Sequence, residues 1–122
     1  MEHATAADYH ARAYQQWCEA VELGLHGSED IVCGIVPLLV EGLDLDPDHL
    51  PSLDLLSDML MEIGDYEEAV ELVEKMLDLE PSDAEYMRKR AVLSGDIGNR
   101  RRVVRTYLHQ KRSRLTREIA DR

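Results

Sequence analysis

Apolar residues recur at three- and four-residue steps through the middle of the chain. The first stripe consists of Leu53, Leu56 and Leu60. A second stripe follows within residues 69–77 and contains Ala69, Val70, Val73, Met76 and Leu77. This spacing places the apolar side chains on one face of an α-helix. The pattern therefore predicts two successive amphipathic helices, each of which buries one face.

Turn and capping residues stand between these stripes. Gly64 separates them, and glycine ends helices readily because it adopts the left-handed conformation without steric strain. Asp65 with Glu68 three residues later is typical of a capping box that opens the second helix. Pro81 closes that helix, and Ser82 with the acid at position 85 is expected to open the next in the same way.

The same pattern returns after 34 residues. Residues 41–47 and 75–81 both end in Leu, acid, Leu, acid, Pro, and Gly64 and Gly98 lie 34 positions apart. A 34-residue period with Gly in the turn, Ala in the second helix and Pro at the end resembles the tetratricopeptide repeat family. The resemblance implies an all-α fold, in which antiparallel helix pairs stack as a short right-handed solenoid of about six helices.

The resemblance is uneven along what we expect to be a single domain, residues 1–122. Residues 50–83 carry a clear repeat. Residues 1–47 are expected to form a degenerate first pair, and residues 84–122 a third pair with an extended, basic C-terminal helix. In the first pair, Trp17 stands two residues from the family's Trp position. Pro37 falls within the second helix, which is therefore kinked or begins near Pro37.

The resemblance also implies a binding groove, which the first helix of each pair lines at fixed positions. We expect the groove to be formed by Asp54, Asp58, Met61, Glu62, Arg88 and Val92. Family members that grip a peptide's C-terminal carboxylate use Lys and Asn there, whereas Asp54 and Asp58 would repel it. The expected partner is another protein or peptide that presents Lys or Arg beside apolar groups for Met61 and Val92. Alternatively, the acids only keep the groove soluble. Replacing Asp54 and Asp58 by Lys is expected to leave the fold intact and, if the groove is the binding site, to abolish binding.

The charge is strongly asymmetric along the chain. The formal net charge is −11, with 25 Asp and Glu against 14 Lys and Arg. Up to Gly98 there are 23 acids and 5 bases, and from Asn99 onward there are 2 acids and 9 bases. Phosphates would be repelled by the acidic part, so nucleic acid is not an expected partner. The basic part is expected to be a solvated helix face that leans on the acidic body, or else to touch an acidic partner.

Composition favours an aliphatic, non-enzymatic protein. There is no Phe and a single Trp, which favours helix packing through Leu, Val, Ile, Met and Ala. None of the five His pairs with Cys at metal-ligand spacing, and no glycine-rich phosphate loop occurs. Carboxylate pairs such as Glu67 and Glu68 are expected to be solvated, which leaves their pKa values unsuited to acid–base catalysis. We therefore expect no catalytic residue, no metal and no cofactor.

The expected location is the cytoplasm, without contact with a membrane. The N-terminus lacks the basic and apolar regions of a signal peptide, and no stretch approaches the ~20 apolar residues of a membrane span. Cys18 and Cys33 are then expected to stay reduced rather than to form a disulfide.

A second interpretation concerns gene regulation. Residues 95–108 and 115–119 also resemble the bacterial transcriptional activator domain, through a Gly-Asp turn followed by a helix with Tyr, basic residues and Leu. That resemblance implies a regulatory or oligomerising module, and it makes a homo-oligomer an alternative to a monomeric adaptor or scaffold. Residues 1–122 contain no segment that resembles the DNA-binding domain normally preceding this module, so the resemblance does not imply DNA binding.

Overall fold

Six α-helices contain most of residues 3–121. The computed structural model describes residues 3–121, and within that range it contains helices and turns but no strand. The helices are α1 (Ala6–Glu22), α2 (Glu29–Leu45), α3 (Leu50–Glu62), α4 (Tyr66–Leu79), α5 (Ala84–Leu93) and α6 (Ile97–Ala120). The predicted all-α, tetratricopeptide-like fold of six helices is confirmed.

The central pair, α3 and α4, forms as the apolar stripes predict. Leu53 is 2% exposed, and Ala69, Val73 and Met76 are fully buried. Ser57 is also fully buried, so small side chains on both helices allow the two backbones to approach closely. The core is mostly aliphatic, with Trp17 and Tyr107 as aromatic members, and it includes residues from every helix from α1 to α6.

Gly64 makes the turn between α3 and α4. Its φ of +82° lies in the left-handed region, and the amide of Asp65 donates to the carbonyl of Leu60 at 2.9 Å. This conformation and this hydrogen bond end α3, as expected for a glycine that follows a helix. The predicted capping box is wrong, because the Asp65 side chain makes no capping hydrogen bond. Glu67 and Glu68 in the first turn of α4 still favour the positive end of the helix dipole.

Two other helix starts differ from the sequence prediction. Asp83, rather than Ser82, caps α5, since its side chain accepts from the amide of Tyr86 at 3.0 Å. The second helix begins at Glu29 and continues through Pro37, so the alternative start near Pro37 is wrong. Proline is tolerated there because Cys33, whose carbonyl loses its helical partner, lies on the exposed face of α2.

Short connections make consecutive helices pack side by side, α1 on α2 and α3 on α4. The last helix departs from this arrangement, because α6 packs not only on α5 but also on α1 and α3. Within residues 3–121, no helix combines the length and the apolar character that a membrane crossing requires.

Candidate functional site

The first helices of the three pairs, α1, α3 and α5, share one side of the molecule, and α6 lies along it. We call this side the inner surface. It is defined by the α3 and α5 residues that contact α6, namely Asp54, Asp58, Glu62, Glu85 and Arg88. The basic part of the chain therefore leans on the acidic part.

Four of the six predicted groove residues meet on this surface, and three of them are acids. Asp54 and Asp58 contact Lys111 of α6, and Glu62 contacts Arg112. The fourth, Arg88, donates to Gln110 of α6 at 2.6 Å.

Met61 and Val92 lie elsewhere than the groove prediction requires. Met61 is 2% exposed and belongs to the core, so it does not offer an apolar contact to a partner. Val92 is half-buried and packs against the same core. The apolar part of the inner surface is instead supplied by α6 itself.

Four charged side chains form a compact cluster, in which each carboxylate contacts both amines. The Nζ of Lys89 lies 2.9 Å from Asp54 Oδ1 and 2.6 Å from Asp58 Oδ1. The Nζ of Lys111 lies 2.9 Å from Asp54 Oδ2 and 2.6 Å from Asp58 Oδ2. Lys89 also donates to the Ser57 hydroxyl at 2.6 Å and to the carbonyl of Asp54 at 3.0 Å. We call Lys89, Lys111, Asp54 and Asp58 the charge quartet.

Lys89 is fully buried, and burial alone destabilises a charge. The alternation of two positive and two negative groups offsets that penalty. Burial raises the pKa of Asp54, but the charges of Lys89 and Lys111 outweigh it and lower the pKa to about 2. Burial likewise opposes the charge of Lys111, yet Asp58 and Asp54 raise its pKa above the usual value. The Asp54 carboxylate and the Lys111 amine are therefore both ionised at neutral pH.

Two further ion pairs continue the row of charges along α6. Arg112 donates to Glu62, and both side chains are largely buried. Burial raises the pKa of Glu62 even though Arg112 opposes this effect. Arg114 lies 3.2 Å from Glu85, and this pair is nearly half exposed. The electrostatic hold on α6 is thus strongest in its middle and weakest toward its C-terminal end.

Apolar residues of α6 pack beside these charges. Val104, Tyr107 and Leu108 are buried, and Leu115 is half-buried against the core. The Arg88 guanidinium lies over the Tyr107 ring, 5.6 Å from its centroid. Burial raises the pKa of Tyr107 above its usual value, so its hydroxyl stays protonated. The inner face of α6 therefore combines apolar, aromatic and cationic side chains.

A cavity of about 500 Å³ remains between α6 and the inner surface. Its wall includes Tyr14 and Trp17 from α1, Tyr86 from α5, and Leu115 and Glu118 from α6. His10 stacks on Tyr14 with 5.8 Å between ring centroids, and burial, followed by the charge of His49, lowers its pKa. A space of this size with aromatic walls can accept side chains of a peptide or helix.

The carboxylates of the inner surface are engaged in ion pairs. Among residues 3–121, no three His, Cys, Asp or Glu residues are arranged to hold a metal ion.

The groove prediction did not include Lys89 and Lys111 of the charge quartet, although the sequence carries a signal for both. Residues 34 positions earlier are Leu55 and Leu77, and both are buried in the central pair. A lysine at a position that the repeat reserves for a buried leucine requires an acidic partner or a different helix arrangement. The third pair uses both solutions.

A family model described as a tetratricopeptide repeat matches residues 50–93. The matched segment contains α3, α4 and α5 and ends before α6 begins. No curated protein and no solved structure matches the sequence. The match therefore includes the α3 and α5 side of the inner surface but not the helix that covers it.

Proposed function

Residues 50–93 form a tetratricopeptide repeat, and from this we propose that the chain is a non-enzymatic adaptor that binds another protein through its inner surface. Repeats of this kind are protein–protein interaction modules. The partner segment we propose is an amphipathic helix that carries Lys and Arg beside aromatic and aliphatic residues. In this structure α6 occupies the surface that such a helix would bind.

One observation carries the proposal. Asp54, Asp58 and Glu62 lie four residues apart along α3, which places them in one row at intervals of about 6 Å. All three carboxylates form ion pairs with a single neighbouring helix, through Lys111 and Arg112. The row therefore recognises a basic helix. Because α6 belongs to the same chain, it occupies this row of acids at an effective concentration in the millimolar range.

The opposite kind of partner does not fit. The carboxylates of this row would repel a peptide carboxylate or a phosphate, and Lys89 is already shared between Asp54 and Asp58. An acidic ligand would have to displace buried ion pairs without replacing them, which is unfavourable.

The test uses a labelled peptide with the sequence of residues 103–120 and full-length protein. Wild-type protein should bind it weakly, because α6 competes from within the chain. In the variant Lys111→Ala with Arg112→Ala, α6 is held less firmly, and we expect at least tenfold tighter binding by fluorescence anisotropy. Circular dichroism of each protein checks that the helices are retained.

A charge-reversed peptide provides the matched control. It carries Glu at the positions of Lys111 and Arg112, and we expect it to bind neither protein. If the released variant binds neither peptide, or binds both equally, the inner surface does not recognise basic helices.

The regulatory or oligomerising alternative is tested in the same samples. Multi-angle light scattering over a concentration series measures their mass, and the alternative requires a dimer or larger species. A monomer at all concentrations supports the adaptor proposal instead.

A further inference from the structure

The third helix pair has apolar or small residues at the positions that build the central pair, but the observed structure does not bury them. Adding 34 to the central positions Leu53, Ser57, Ile63 and Ala69 gives Met87, Ala91, Ile97 and Val103. Leu53, Ser57 and Ala69 are buried in the contact between α3 and α4, and Ile63 is half-buried against the core.

All four equivalent residues in the third pair are exposed. Ile97 is 83% exposed, Met87 42% and Val103 38%, and Ala91 is also exposed. The reason is that α6 packs on the other face of α5, through Arg88 and its neighbours on the inner surface. The face of α5 that would pair with a second helix is left uncovered. We call Met87 and Ala91 the pairing face.

The turn signal of the repeat is also unused. Gly98 and Asn99 correspond to Gly64 and Asp65, which separate α3 from α4. In this structure the chain turns earlier, at residues 94–96, and Gly98 lies inside the first turn of α6. A glycine within a helix is less favourable than alanine, so Gly98 makes the observed start of α6 less stable than alanine would.

We propose that α6 has a second docking position on the pairing face, and that a partner helix on the inner surface shifts α6 to it. In the second position α5 extends toward Asp96, the chain turns at Gly98 and Asn99, and Val103 packs on Ala91 as Ala69 packs near Ser57. This inference rests on the proposed function, because it states how the inner surface becomes free.

The two positions are supported by different interactions. The charge quartet and the buried Tyr107 hold α6 on the inner surface when no partner is present. A basic partner helix replaces Lys111 as the neighbour of Asp54 and Asp58. Docking of α6 on the pairing face then buries Met87, Ile97 and Val103, which are exposed to solvent in the observed arrangement.

The test traps the second position with a disulfide. Ala91→Cys and Val103→Cys are both surface changes, and Cys33→Ser removes the exposed native thiol. We expect mild oxidation to form the 91–103 disulfide, and we expect the basic peptide of residues 103–120 to raise its rate at least fivefold. The charge-reversed peptide should leave the rate unchanged.

Trp17 reports on the inner surface independently, because it is the only tryptophan and is 4% exposed beside α6. In the oxidised variant, the emission of Trp17 should shift to longer wavelength, and acrylamide should quench it more strongly. The helix content measured by far-ultraviolet circular dichroism should stay unchanged. Loss of helix content would show that α6 unfolds instead of docking, which would overturn the inference.

Gly98→Ala is the matched variant. Its Cβ would meet only ordinary contacts at 3.8 Å in the observed helix, so the inner position is retained. The alternative turn requires the left-handed conformation of Gly64, which alanine adopts poorly. We expect disulfide formation to slow about tenfold, which corresponds to about 1.4 kcal/mol.

The outcomes separate the two proposals. If the peptide fails to bind even the Lys111→Ala, Arg112→Ala protein, the proposed function falls. If it binds but leaves the rate of disulfide formation unchanged, only the second docking position is refuted. An equal disulfide rate in the Gly98→Ala protein also refutes it.

Discussion

Lys89 offers the sharpest perturbation of the structure, because it is a fully buried cation that two carboxylates share. Lys89→Met keeps an unbranched side chain of similar length and helix propensity, and it removes the charge together with the hydrogen-bond donors of the amine. Asp58 then stays buried with Lys111 as its one remaining cation, and the Ser57 hydroxyl loses a hydrogen bond at 2.6 Å.

The magnitude follows from this arrangement. Removing one partner of a buried ion pair destabilises a protein by about 3–5 kcal/mol, since the remaining charge is left buried and uncompensated. The total free energy of unfolding of a domain of this size is about 5–15 kcal/mol. We therefore expect Lys89→Met to remove a large share of it. Asp58→Asn in the same chain should restore part of the loss, because Lys111 then faces one carboxylate instead of two.

The assay is urea unfolding, followed by Trp17 fluorescence and by circular dichroism at 222 nm. Arg114→Met is the matched control, because its ion pair with Glu85 is nearly half exposed and such pairs contribute about 0–1 kcal/mol. If Lys89→Met and Arg114→Met reduce the free energy of unfolding by similar small amounts, Lys89 is not buried among these carboxylates and the reasoning fails.

Three further predictions address the fold and its pH dependence. Ala69→Leu should overpack the α3–α4 contact and lower the free energy of unfolding by about 1–3 kcal/mol, and an unchanged urea midpoint would contradict that packing. Gly64→Ala should lower it by about 1–2 kcal/mol, because φ is +82° while no atom lies near the added Cβ; a neutral effect would show that the turn is not left-handed. Burial raises the pKa of Asp54, but Lys89 and Lys111 outweigh this effect and lower the pKa from 3.8 to about 2. The ionised Asp54 carboxylate therefore stabilises the fold by about 2 kcal/mol at most. This stabilisation is complete above about pH 4 and is lost as the pH falls toward 2. Urea midpoints between pH 2 and 5 should then vary less steeply in Asp54→Asn than in wild type, and equal slopes would refute the assignment.

Much of the fold was predictable because local patterns and long-range packing agree in the central pair. The stripe around Leu53, the turn at Gly64 and the small Ala69 all have the environments that the repeat predicts. The helix count followed from the same period. Capping was less predictable, since Ser82, Asp83 and Glu85 all lie near the start of α5 and only geometry selects which side chain accepts the hydrogen bond.

The position of α6 was not predictable from periodicity. A repeat specifies how helices pair only while equivalent positions keep equivalent polarity, and Lys89 and Lys111 replace buried leucines. Choosing between a solvated basic helix and one bound to the acidic row requires the distances between Asp54, Asp58 and these lysines. Sequence spacing within one helix does not give those distances.

One expectation about the groove changes accordingly. Replacing Asp54 and Asp58 by Lys was expected to leave the fold intact, on the view that both acids face an open groove. Both carboxylates instead neutralise Lys89 and Lys111. The double change would place four positive charges within a few ångströms, and we expect it to unfold the protein rather than to test binding alone.

The most direct measurement of whether α6 occupies the inner surface is a double-mutant cycle at Glu62 and Arg112, which are 50 residues apart in sequence. Glu62→Gln, Arg112→Met and the double variant are compared by their free energies of unfolding. The buried ion pair predicts a coupling energy of at least about 1 kcal/mol. Changes that add to within about 0.3 kcal/mol would show that the two side chains do not meet, and α6 would then lie elsewhere.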